Sequence, residues 1–340
     1  MRRTLSIAFV ILGLAGASFA QSESDEFAPL PTVTVAKTVN LRRGPSTARA
    51  RLKVVAPATE LRIIDGNPVD GFYRVIIGKG RLGWVWGKNV HSPTAPAMAA
   101  APAAAGAPCP LPATLGQCPA RGCGAAGSEQ ATLNSTKRRL PSGTNARTLT
   151  FADLKALQQR ASDLVGQHNE LTQAERDSLA NLQVSAGTVR EGSVVKVRGF
   201  LAEGLDPHAN SGGESVNCKL TGTEKNDFHI SIVENAGEDE FRGIVVEMIP
   251  QDRNAAWTLA KLKTIKQQKK RVLIVGALFY DNIHIVNDDP SHSIGGQPKR
   301  TSLWEVHPIT RFFVCMKATN NCSATSTGAT SGWKPLEEFQ

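Results

Sequence analysis

The sequence predicts a mainly β protein with some α: a small β-barrel, a flexible linker, two amphipathic helices, and a five-stranded barrel that carries one helix. Three observations in the 340 residues lead there. Short runs rich in β-branched and aromatic residues recur between Gly, Pro, Asn and Asp turns over residues 32–90. Ala, Pro, Gly, Ser and Thr dominate residues 92–145 without any periodicity. Beyond residue 187, strand-like runs return with one helical stretch among them.

Residues 1–20 read as an export segment. Arg2 and Arg3 precede an apolar run over residues 7–14, and Ser18-Phe19-Ala20 forms a small-x-small cleavage pattern before Gln21. The mature chain is therefore expected to be secreted or periplasmic. No stretch approaches the about 18 uninterrupted apolar residues of a spanning helix, so no transmembrane segment is expected in the mature protein.

Within residues 32–90, the runs 32–35, 52–55, 60–64, 73–77 and 83–86 predict five short strands, enough for a small barrel. Residues 92–145 cannot bury enough apolar surface to offset their ordering entropy, and read as a linker that gives the flanking domains independent reach. The pattern turns helical over 150–182. Thr150 with Asp153 resembles a capping box before Leu154, Leu157, Ala161 and Leu164, and Thr172 with Glu175 repeats it before Leu179 and Leu182. Gly166 and Asn169 mark the break between the two helices.

Residues 187–316 contain strand candidates at 193–201, 227–233, 242–249, 271–280 and 302–314. A helix over 254–270 offers Trp257, Leu259, Leu262 and Ile265 for packing. Five strands with a helix between the third and fourth is the plan of an OB-like barrel. Residues 323–340 read as a tail.

The chain carries 39 Lys and Arg against 30 Asp and Glu, two of the arginines lying in the export segment. Outside a cell, such a balance meets wall polymers and anionic headgroups more than nucleic acid. Lys261, Lys263, Lys266, Lys269, Lys270 and Arg271 form a local patch, but only Trp257 accompanies them. Single-strand binders interleave aromatic side chains with cations, so nucleic acid is disfavoured as a partner. Six cysteines in an oxidising compartment read as disulfides. Cys315 with Cys322 would close a short loop, contributing about 2–3 kcal/mol. Cys218 is left to pair with one of Cys109, Cys118 or Cys123, whose spacing is not that of a structural zinc site.

Val39-Asn40-Leu41-Arg42-Arg43-Gly44-Pro45-Ser46, then Gly71-Phe72-Tyr73-Arg74-Val75 and Gly83-Trp84-Val85, resemble the bacterial SH3 (SH3b) domain family over about residues 32–90. The resemblance implies an SH3-like barrel acting as an accessory module that binds cell-wall peptidoglycan or an envelope protein. It makes Phe72, Tyr73, Trp84 and Trp86 candidates for an aromatic ligand surface, with Arg42 and Arg43 placed to meet carboxylates. In so small a barrel, part of that aromatic set must instead form the core.

The last domain holds three carboxylate–histidine pairs: Asp227 with His229, Asp281 with His284, and Glu305 with His307. Period two puts Asp227 and His229 on one strand face, with Phe228, Ile230 and Ile232 on the other. Imidazole and carboxylate suit zinc, manganese or iron, whereas hydrogen-bonded pairs that fix strand register are the structural alternative. Asp227-x-His229, Gly276-x-x-Phe279-x-Asp281 and Glu305-x-His307-Pro308 also resemble a family of uncharacterised bacterial extracytoplasmic domains, which implies no activity. No Gly-x-Ser-x-Gly elbow, phosphate loop or dinucleotide fingerprint occurs, and Cys218 and Cys315 lack the helix N-terminus that activates a thiolate.

The expected function is that of an exported cell-envelope binding or scaffold protein, needing no cofactor. The alternative is a metal-dependent hydrolase, nucleases included, in which Asp227, His229, Asp281, His284, Glu305 and His307 converge on a metal. Nothing in the sequence sets the oligomeric state.

Overall fold

The computed structural model describes residues 26–94, 109, 111–143, 145–323 and 327–340. The expected export segment and residues 95–108 of the expected linker lie outside them. The protein is mainly β, with two β units and four α-helices among the described residues.

The first unit is a single sheet of β1 (Thr32–Thr34), β2 (Val39–Arg42), β3 (Arg51–Val55), β4 (Glu60–Ile63), β5 (Phe72–Ile77) and β6 (Arg81–Trp86). Its order is β1-β4-β5-β6-β2-β3. The strand not predicted by periodicity is β2, which is only four residues long and lies in the Val39–Ser46 motif. Alternation sends Val33, Val39, Leu41, Leu61, Ile63, Val75 and Val85 into a core of the unit's own.

Residues 111–143, expected as linker, are folded. Ser128 caps α1 (Glu129–Lys137) by accepting from the Ala131 N–H. The Asn134 amide donates to the Arg121 carbonyl at 2.9 Å and to Ser215 Oγ at 3.0 Å. Two disulfides, Cys109–Cys123 and Cys118–Cys218, tie the segment to itself and to the last domain. Composition concealed this because cross-links and polar contacts do here what apolar periodicity does elsewhere.

A short strand β7 (Arg147–Leu149) leads into α2 (Phe151–Leu164) and α3 (Gln173–Asp177), both opened by the capping boxes of Thr150 with Asp153 and Thr172 with Glu175. The second expected helix is cut short: α3 stops at Asp177, Leu179 packs beyond its end, and Leu182 begins a strand. Leu154, Leu157 and Ala161 are buried, but Leu164 points outward and Val165 takes its place in the core. A hairpin of β8 (Leu182–Val184) and β9 (Gly187–Val189) then precedes the barrel.

The barrel strands are β10 (Val194–Leu201), β12 (Phe228–Val233), β13 (Ile244–Met248), β14 (Arg271–Tyr280) and β15 (Trp304–Cys315), with β11 (His208–Ala209) beside β12. Pairing runs β10-β12-β13-β15-β14 and returns to β10, so the ring closes. The β13–β15 pair is parallel and α4 (Leu259–Gln267) lies between β13 and β14 in sequence, in agreement with the OB-like plan. Phe228, Ile230, Ile232, Ile244, Val246, Ile274 and Val306 fill the interior. The expected tail is not free: β16 (Trp333–Pro335) pairs with β15, Leu336 and Phe339 are buried, and Glu337 accepts from the Trp257 indole at 2.9 Å.

The two units are packed together rather than merely tethered. Ile76 meets Ile285 and Ile294, the Arg62 guanidinium donates to Asn169 Oδ1 at 2.9 Å, and the Gln167 amide donates to the Gly80 carbonyl at 3.0 Å. Gly166 makes this possible: at φ +79°, a Cβ there would lie 1.8 Å from the Lys79 carbonyl oxygen. Gly166→Ala is therefore expected to destabilise the protein by about 1–3 kcal/mol from backbone conformation alone, and more from the clash. Urea unfolding with near-ultraviolet detection reads this directly; an unchanged midpoint would contradict the docking.

Candidate functional site

Barrel alternation puts Asp227 and His229 at β12, Glu247 of β13, and Glu305 and His307 of β15 on the outer face, opposite the apolar interior. Register places His229 opposite Glu247. His307 and Pro308 together face the single residue Ala277, between the partnered pairs Gly276–Ile309 and Leu278–Val306. This bulge reorients β15 at the histidine. The missing side chain of Gly276 permits it, since a Cβ there would sit 2.2 Å from the Pro308 oxygen.

That outer face is covered. The loop carrying Glu214, Ser215 and Asn217 and the helix carrying Lys137 lie over it, the helix joined to the loop by Asn134 on Ser215 and the segment before the helix stapled to it by Cys118–Cys218. Asp227, Glu305 and His307 are 0% exposed and Glu247 3%. His307 Nε2 lies 3.2 Å from Asp227 Oδ2, and Nδ1 lies 3.3 Å from Glu247 Oε2 and 3.7 Å from Glu305 Oε2. His229 Nε2 stands 3.4 Å from both Glu214 and Glu247. Asn217 donates to Asp227 Oδ1 at 2.9 Å and to Glu214 at 2.8 Å.

The remaining predicted pair forms a second layer. His284 Nδ1 lies 2.5 Å from Asp281 Oδ2, and the fully buried Arg300 guanidinium bridges Asp281 at 3.0 Å and Glu305 at 2.5 Å. All six predicted residues thus belong to one buried network, but they do not converge on one point. Asp227 and His307 meet Glu247; Asp281 and His284 face Arg300; Glu305 lies between.

Electrostatics follows from this packing. Burial opposes charging His307, but the Glu247 carboxylate and the closeness of Asp227 and Glu305 overcome it and raise its pKa to about 10. Burial would likewise raise Glu247, yet His229, Lys137 and His307 hold it at about 2. Asp281 is kept well below the usual carboxylate range, against burial, by His284 and Arg300. Glu305 is pushed up by burial and by its neighbours Glu247 and Asp281, with Arg300 opposing.

Sequence reasoning missed Glu247, Glu214, Asn217, Lys137 and Arg300. Glu247 had a signal: it is the single charge in Ile244-Val245-Val246-Glu247-Met248. The others lie in stretches without periodicity, and only the folded chain brings them here.

The candidate ligand residues of the first unit divide. Phe72 and Trp84 are buried; Trp84 packs edge-on to His292 of the other unit and beneath Arg74. Trp84 is therefore a docking residue and not part of a ligand surface. Trp86 rests against Phe72, and with Arg42 both line a hollow of about 130 Å³. Tyr73 is half-buried against the core, and the Arg42 guanidinium is tied to the Arg49 carbonyl at 2.8 Å. Arg43 instead opens onto a larger cleft of about 690 Å³ between the first unit and α2. Arg51, Arg81 and Lys155 join it there, with Asp163 and Asp288 as the opposing charges.

On the basic helix, Lys266 donates to the Gly204 and Leu205 carbonyls and to Asp206, and Lys261 to the carbonyls of Leu336 and Glu337. Those two lysines hold the fold together.

Fold and site together define a disulfide-bonded, barrel-rich β protein in which a carboxylate–histidine network lies buried on the outer face of the barrel. In comparisons with known proteins, no family model, no curated protein and no solved structure matches the chain.

Proposed function

We propose that this is an exported cell-envelope binding protein whose interdomain cleft takes a carboxylate-bearing wall ligand, peptidoglycan being the polymer of that chemistry. The observation that carries the reading is the convergence of four exposed cations on one cleft: Arg43, Arg51 and Arg81 from the first unit and Lys155 from α2. Guanidinium forks suit carboxylates, and both walls of the cleft supply charge. Three disulfides fit an oxidising compartment, and no helix among the described residues is long and apolar enough to cross a membrane. The hydrolase alternative draws less support: a catalytic metal keeps an open position for substrate, whereas Asp227, Glu305 and His307 are fully buried.

The test is sedimentation with purified peptidoglycan. The oxidised mature protein is expected to pellet, and the variant Arg43→Glu/Arg51→Glu/Arg81→Glu to remain in solution. Added salt should weaken the wild-type interaction, since exposed charges are screened over about 8 Å at physiological ionic strength. Equal retention of the triple variant would overturn the cleft reading. Retention of an envelope protein from detergent extract, with no affinity for peptidoglycan, would redirect it to a protein partner.

A further inference from the structure

The buried network contains a feature that neither strand register nor wall binding requires. Around His307, five polar atoms from four side chains have no hydrogen-bond partner: Asp227 Oδ2, Glu247 Oε2, Glu305 Oε2, and both ring nitrogens of His307. The side chains are at least nine-tenths buried, and an unsatisfied polar atom in such a place is normally avoided. The atoms face one another at 3.2, 3.3 and 3.7 Å, yet outside hydrogen-bond geometry. One donor each from Asp227, Glu247 and His307 can be chosen so that all lie within 4.8 Å of one another.

Tetrahedral coordination at about 2.0–2.2 Å separates donor atoms by about 3.3–3.6 Å, so a trio of donors within 4.8 Å of one another needs to draw in only slightly to close on one ion. The donor set, one imidazole with carboxylates and no thiolate, suits Zn²⁺ or Mn²⁺ rather than a soft metal.

We infer that Asp227, Glu247 and His307 form a closed, structural site for a divalent transition metal, with Glu305 as the adjoining carboxylate, beneath the cap that Cys118–Cys218 fastens. The site is separate from the cleft, and the metal would join β12, β13 and β15 on the face where the cap docks. Its role is to compensate buried negative charge and to couple the cap to the barrel.

The experiment uses the oxidised mature protein. Metal content is measured by inductively coupled plasma mass spectrometry as purified, and again after chelation and titration with Zn²⁺ alone or Mn²⁺ alone. The expected result is about one equivalent per chain, with a melting temperature that falls on chelation and recovers on adding the metal, because a ligand bound only by the native state stabilises it. Glu247→Gln and His307→Gln should lose the metal, whereas His284→Gln, in the second layer, should retain it. Should the two variants fail to fold, the wild-type titration and its thermal shift decide alone. Wild-type protein that takes up neither metal, or folded Glu247→Gln and His307→Gln proteins that bind as the wild type does, would overturn the inference in favour of an ion-paired imidazolium.

Discussion

Replacing Arg300 by methionine is expected to cost about 3–5 kcal/mol of stability, a large share of the about 5–15 kcal/mol typical of folded proteins. Arg300 is 0% exposed and its guanidinium is shared between Asp281 and Glu305, both buried carboxylates. Methionine fills similar volume, so the loss is chiefly electrostatic: both carboxylates keep their burial and lose the guanidinium, while Asp281 retains His284. The pH dependence distinguishes this from lost packing. The folded-state pKa of Asp281 is depressed, so its contribution is present above the ordinary carboxylate pKa and disappears as pH falls through the lower folded value. In the variant, Asp281 and Glu305 titrate closer to neutrality, and protonation relieves the unpaired charge. The gap between wild type and variant in denaturant unfolding should therefore be widest near neutral pH and narrow on acidification. A pH-independent gap would mean that Arg300 acts through its shape.

The second large effect is expected at Cys118–Cys218. The bond joins residues 100 apart in sequence and fastens the cap to the loop bearing Glu214 and Asn217. Cys118→Ala with Cys218→Ala should cost about 4–5 kcal/mol by loop-closure entropy, against about 3 for the Cys109–Cys123 pair and about 2–3 for Cys315–Cys322, whose loops are shorter. Two readouts apply under non-oxidising-exchange conditions: the unfolding midpoint, and the rate at which a protease cuts within residues 111–143. The long-loop variant should show both the largest shift and the fastest cleavage. A larger shift on removing Cys315–Cys322 would place the principal constraint at the C-terminal end and not at the cap.

Local order was well represented in the residues themselves. The strand expected over 271–280 is the strand observed, and the capping boxes at Thr150 and Thr172 open the two helices. Asp227 and His229 lie opposite Phe228, Ile230 and Ile232, as period two requires. The errors have a common form. Residues 111–143 and 327–340 carry little apolar periodicity, yet both are held in place: one by disulfides and the Asn134–Ser215 contact, the other by pairing with β15 and by Glu337 on Trp257. Trp84 was a ligand candidate by sequence, but it is occupied by His292, which the chain supplies more than 200 residues later.

From the sequence alone came what neighbours in the chain decide: most strand and helix positions, the five-strand barrel plan, and three carboxylate–histidine pairs, two of them sharing a strand face. Tertiary structure decided which groups those pairs meet. Glu247 reaches His307 across barrel strands, Arg300 bridges Asp281 to Glu305, and the cap seals all of them from water. The physical reason is that backbone hydrogen bonding and side-chain alternation act over a few residues. Burial and charge compensation instead depend on where distant segments come to rest, and here that is set by barrel closure, a bulge at His307 and a disulfide spanning 100 residues.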